Sequence, residues 1–287
     1  MKFLKIIILL LFTATGTFAQ SEDLLLKTTL KPEIWVIVAE IEKRTHGEIN
    51  TAFAEPESGE LGSSFISDDG TAYLRVDEQL RDSPELAAVI AHELFHLQLR
   101  VHGFPVFLFS PTIKTAKGRA QDVEQSNVND LTSAIEHLIF KPEMQRLGLY
   151  NQIKLAGATA KQARKNRGKI ESQADALNYA RAILEYNDDE AVEEVRKIYV
   201  ENKWSRSLKD GKAIADIISQ TNSQSPDEVE KTFLRCLTVL YAAPKSTFVF
   251  RLTPDQSIKT YRRMIINMAR KISQKGLAAR KFFNHAR

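Results

Sequence analysis

Apolar residues recur three and four apart over most of this chain and alternate in only a few short stretches. Lys31 to Lys43 carries Ile34, Ile37, Val38 and Ile41 on one face and Pro32 in its first turn, which predicts a helix stopped by His46-Gly47. Ile49 to Ala54 alternates, as does Thr71 to Val76, and both read as strands. Between them Pro56, Gly59 and Gly62 mark Glu55 to Gly62 as a loop. A second helix is expected from Pro84 to about Val101, opened by Asp82-Ser83-Pro84-Glu85 and closed by Gly103-Phe104-Pro105. Val106 to Ala120 reads as a connecting loop, and Gln121 to Phe140 as a long helix closed by Pro142. Gly157 to Gly168 is polar and basic, an exposed connection. From Glu171 onward the pattern is helical, over about 171–186, 189–202, 210–220, 226–242 and 254–274, with Thr247 to Leu252 as a lone strand. Strands and helices come first and a helical array last, so the expected fold class is α+β: a small N-terminal sheet, a buried helix against it, and a mainly helical C-terminal part.

Composition narrows the setting. The chain has 287 residues, enough for one large or two small domains, with ordinary apolar and charged fractions. The formal charge of +4 falls to +2 without Lys2 and Lys5, too little to argue for nucleic acid. Those two lysines precede the apolar run Ile6 to Phe12, and Thr17-Phe18-Ala19 supplies small residues at a cleavage position. Residues 1–19 therefore read as a signal peptide cut after Ala19, and a secreted or periplasmic protein is expected. The run is too short to span a bilayer and no later stretch is long and apolar enough, so stable membrane insertion is not expected. Gln20 to Thr29 reads as a loose lead-in, and the basic end, Lys275 to Arg287, as a solvated tail. Cys236 is the only cysteine, which rules out an intramolecular disulfide. The organisation expected is a catalytic region over 20–150 and a helical region over 151–287, with composition leaving open whether they form one domain.

The chemistry lies in the helix from Pro84. It is apolar on nearly every side, yet His92, Glu93 and His96 sit in its middle. Ionisable groups rarely go inside without partners. His92 and His96 are four apart, so on a helix they stack on one face, where both can hold one zinc ion. Glu93, beside them, can take a proton from a water on that metal. A chance occurrence of His-Glu-x-x-His would fall more often in a polar or irregular segment than in an apolar helix with a start signal.

A strand, an acid-proline helix start and His92-Glu93-Leu94-Phe95-His96 on a buried helix together resemble the zincin metallopeptidases, over about residues 48–140. The resemblance implies a zinc peptidase acting on peptides or proteins. In it His92 and His96 match the zinc ligands, Glu93 matches the general base acting on zinc-bound water, and Thr71 to Val76 matches the edge strand that pairs with extended substrate. A rival of another class is a zinc-stabilised binding or assembly protein of the cell envelope without turnover.

Catalytic zinc takes three protein ligands, so one is missing. Glu124 ranks first: it lies about 20° from the centre of the apolar face formed by Val128, Leu131, Ile135 and Leu138, in the manner of gluzincins. Asn127, on the same side, suits a supporting role. Glu171 opens Glu171-Ser172-Gln173-Ala174-Asp175, which resembles the E-x-x-A-D stretch of some gluzincins, although it faces away from Leu177, Ala180, Ile183 and Leu184. His137 lies about 120° from the apolar centre of its helix and Glu136 farther still, so His137 reads as ligand, oxyanion donor or surface residue. His102 has metzincin spacing, but Leu99 replaces the glycine that branch needs, and on a continuing helix His102 points about 120° from His96.

Overall fold

The computed structural model describes residues 24–54, 61–67, 69–109, 120–150, 163–186, 189–221, 225–241 and 247–251, with side chains described except at 106, 108–109, 120–125, 241 and 247–251. The fold is α+β, as the patterning predicts. A short helix α1 (Leu24–Lys27) precedes α2 (Pro32–Thr45), where Pro32 opens the helix and left-handed His46 closes it. Ile34, Ile37, Val38 and Ile41 are buried. The lead-in is tied down rather than loose: Leu24 and Leu25 are buried, and the Leu24 N–H donates to Thr51 Oγ1 at 3.0 Å.

Three strands follow, β1 (Asn50–Ala54), β2 (Gly62–Ile66) and β3 (Ala72–Asp77), in the order β1-β3-β2. β1 runs parallel to β3, and β2 antiparallel to it. This corrects two expectations. Thr71 to Val76 is the sheet's central strand, not its edge, because β2 occupies its second side. β2 itself was hidden because Gly62-Ser63-Ser64 has little strand propensity and no apolar alternation. Pairing and packing place it: a Cβ at Gly62 would lie 3.0 Å from Glu93 Cγ and 3.1 Å from Val89 Cγ1, so glycine lets the strand lie close on the next helix.

That helix, α3 (Leu86–Val101), is the most apolar of the longer described helices and buries Ala88, Val89, Ile90, Ala91, Leu94, Phe95 and Leu97. It begins at Leu86, with the Glu85 N–H donating to Ser83 Oγ at 3.1 Å. The expected loop after it contains β4 (Pro105–Phe109), which pairs antiparallel with β5 (Thr247–Arg251). The strand at 247–252 is therefore not alone. Pro105 is its partner's first residue, where the missing N–H is tolerated.

α4 (Ala120–Arg146) runs through Pro142 rather than stopping before it. Proline removes one hydrogen bond, but Met144 and Leu147 beyond it are buried, and their burial outweighs the loss. The rest is helical: α5 (Gln173–Glu185), α6 (Asp189–Glu201), α7 (Ser205–Ser219) and α8 (Pro226–Tyr241). One buried cluster takes residues from Leu24 to Leu240 and so unites both halves of the chain; a smaller one forms around Tyr179, Tyr199 and Trp204. Phe107 of β4 stacks on Phe233 of α8 at 3.6 Å, fixing the ribbon to the helical half. Residues 1–19, 254–274 and the basic tail lie outside the described residues. No described helix is long and apolar enough to cross a membrane.

α5 and α7 pack closely where Gly211 meets the first turns of α5. A Cβ at Gly211 would come within 2.5 Å of the Ala176 carbonyl oxygen. Helix propensity alone says Gly211→Ala stabilises by about 1 kcal/mol. The collision with backbone outweighs that, and a net loss of roughly 1–3 kcal/mol is expected. Urea denaturation of the variant checks the sign; a gain in stability would mean the two helices are not in this contact.

Candidate metal centre

α3 presents His92 and His96 one turn apart on the face toward α4. Their Nε2 atoms are 3.2 Å apart. His137 of α4 joins them: its ring centroid lies 4.6 Å from that of His92 and 5.3 Å from that of His96. One nitrogen from each of the three falls within 4.8 Å of the other two. Phe140, one turn beyond His137, walls the cluster, its ring 5.0 to 5.4 Å from all three imidazoles and stacked on Phe95. The three histidines stand close enough together to bind a metal ion.

One pair of the donor set meets a geometric test. Tetrahedral zinc with bonds of about 2.0–2.1 Å separates its ligand atoms by roughly 3.3 Å. The His92 and His96 nitrogens already have that spacing. Two outer nitrogens are also occupied. His96 Nδ1 is 2.7 Å from Glu136 Oε2, and His137 Nδ1 is 2.9 Å from Glu185 Oε1. Nε2 is the nitrogen left over in both. Ser133 Oγ lies 3.0 Å from His137 Nε2.

Each carboxylate is itself held by an arginine. Arg100 bonds Glu136 Oε1, and Arg181 Nε donates to Glu185 Oε1 at 2.9 Å. Burial alone would raise both carboxyl pKa values. The arginines and the facing imidazoles outweigh it and bring Glu136 and Glu185 to about 2. Burial lowers the pKa of His92 well below its ordinary 6.5, helped by the neighbouring rings. It lowers that of His137 too, against the opposite pull of Glu185. Both shifts favour the neutral form of His92 and His137, the form that binds metals.

Glu93 is 6% exposed and turns toward the sheet, where Ser64 Oγ of β2 donates to its Oε2 at 2.8 Å. Among the alternatives whose side chains are described, His137 is the one that converges with His92 and His96. Glu124 lies thirteen residues before His137 on the same helix, roughly 20 Å along its axis. Its side chain is outside the described residues. Asn127 is buried ten residues before His137, roughly 15 Å away along that axis. Glu171 instead accepts from the Ser207 N–H at the start of α7, and Asp175 closes a capping box with Ser172. His102 pairs with Glu40 at 2.7 Å on the surface. Angles measured from a single apolar face misplace Glu136 and His137, because α4 has more than one buried face. α4 is covered by α3 on one side and α5 on another, so both residues point inward, at 3% and 5% exposure. Glu185 and Arg181 were missed altogether; an Arg-to-Glu pair four apart near a helix end is ordinary surface patterning.

Comparison of the chain with protein-family models, with curated proteins and with solved structures gave no match.

The buried imidazoles set a pH dependence for the metal-free protein. The unfolded chain protonates them below about 6.5 while the folded chain resists, so stability falls as pH drops through that value. Glu136 and Glu185 contribute stability above 4.5 that is lost as pH falls toward 2. Thermal melts of metal-free protein should show a midpoint declining from about pH 7 to 5.5, then a second decline in the carboxylate range. A flat midpoint over the first interval contradicts neutral imidazoles.

Proposed function

We propose that this chain is a zinc-dependent peptidase of zincin type, with His92, His96 and His137 as metal ligands and Glu93 as general base. The observation that carries it is the arrangement on α3: two imidazoles meet a third from α4, while Glu93, next in sequence to His92, turns to β2. Three imidazoles suit zinc and disfavour magnesium or calcium, which prefer oxygen donors. When bound, zinc supplies Lewis acidity, lowering the pKa of a coordinated water and polarising a carbonyl.

The protein's own groups then do the rest. β2 is an edge strand of its sheet, and its outer side offers backbone donors and acceptors to an extended peptide. Glu93 is held beside that strand by Ser64; as general base it would take a proton from a zinc-activated water and hand it to the leaving amine. Phe140 and Phe95 exclude solvent from behind the cluster and strengthen the electrostatics in front of it. The basic and then apolar start of the sequence, Met1 to Ala19, supports action outside the cytoplasm.

The test combines metal analysis with proteolysis. Purified protein should carry about one zinc per chain and cleave members of a broad peptide library. Glu93→Gln should keep the zinc and lose roughly 10²–10⁴-fold in kcat. His137→Ala should lose zinc affinity by more than the roughly 10–100-fold that supporting residues cost. A wild type that binds zinc but is as inert as Glu93→Gln sinks the peptidase reading in favour of a zinc-stabilised binding protein. A wild type that takes up no zinc leaves the three histidines as a hydrogen-bonded core network.

A further inference from the structure

Deepening the metal-site part of that reading, and independent of whether the site hydrolyses peptides, we propose that Glu136 and Glu185 are positioning residues that lock His96 and His137 with Nε2 turned to the common centre. Arg100 and Arg181 in turn anchor the two carboxylates.

A neutral imidazole carries its hydrogen on either nitrogen, and only the bare nitrogen can bind a metal. A carboxylate facing Nδ1 requires the hydrogen there. Glu136 does this for His96 at 2.7 Å, and Glu185 for His137 at 2.9 Å. The Ser133 hydroxyl, 3.0 Å from His137 Nε2, is then the donor and reads the same tautomer from the other end. Each carboxylate is anchored in the same way. Arg100 is four residues after His96, so ligand and anchor share one face of α3, and Arg100 also donates to the Pro105 carbonyl at 3.4 Å. Arg181 is four residues before Glu185 on α5, and its Nη1 lies 3.7 Å from Asp130, two turns before His137 on α4. His137, Glu185, Arg181 and Asp130 thus close a ring across two helices.

An ion pair serving only to hold helices together has no need of an imidazole on the same carboxylate. Here the order histidine, glutamate, arginine occurs twice, from different helices, around one centre. It also gives the helical half of the chain a part in the site, since α5 orients a ligand carried by α4.

The first measurement is made on metal-free wild type. Long-range proton–nitrogen correlation spectra should show His96 and His137 with hydrogen on Nδ1. Hydrogen on Nε2 of either would overturn the proposal whatever the variants do. The second is zinc affinity by chelator competition for Glu185→Gln, and for Glu185→Gln combined with Arg181→Met, which leaves no buried cation alone. Both should bind zinc roughly 10–100-fold more weakly than wild type. Affinity within about twofold of wild type in a folded variant would overturn the positioning role while leaving the metal site standing. Absence of zinc binding by the wild type would instead remove the metal site, and the tautomers would still judge the carboxylates.

Discussion

Three imidazole rings share one small volume of the interior, backed by Phe140, and each must be satisfied there. That requirement arranges the centre of the molecule. Burial removes water as a partner, so the outer nitrogens of His96 and His137 need acceptors, and Glu136 and Glu185 provide them. Buried carboxylates need cations, and Arg100 and Arg181 provide those. The consequence is a polar seam running from α3 through α4 to α5, inside a largely apolar core. Leaving any one member unpaired would cost more than the pair contributes, because desolvation has already been incurred.

The seam explains how the two halves of the chain relate to one centre. The sheet and α3 bring the two motif histidines and Glu93, α4 crosses with His137, and α5 closes behind it. Glu93, next in sequence to His92, bonds Ser64 of β2, so α3 touches both the helices and the sheet. Its histidine face meets helices and its glutamate meets a strand edge.

Much of this was readable beforehand, and the reasons are local. α2 was legible because Ile34, Ile37, Val38 and Ile41 form a stripe with a proline start. β1 and β3 were legible because they alternate. The pair His92 and His96 was legible because four-residue spacing on an apolar helix has few other uses. β2 was not, since Gly62-Ser63-Ser64 carries no strand signal of its own and its partner strand imposes the conformation; β4 was not, since Pro105 and Pro111 on either side of Val106 to Phe109 read as loop. α4 outran Pro142 because burial of residues beyond it exceeds the cost of one missing hydrogen bond.

The sequence by itself determined the fold class, a strongly buried helix and the stacking of His92 and His96 upon it, because these depend on contacts within a few residues along the chain. Which other groups come to meet them was decided by tertiary structure alone. A helix covered on two sides has no single apolar face, so angular bookkeeping on α4 ranked Glu124 above His137. Glu185 lies 48 positions from His137, and nothing in either neighbourhood names the other. Only the packing of α5 on α4 brings that carboxylate to that ring.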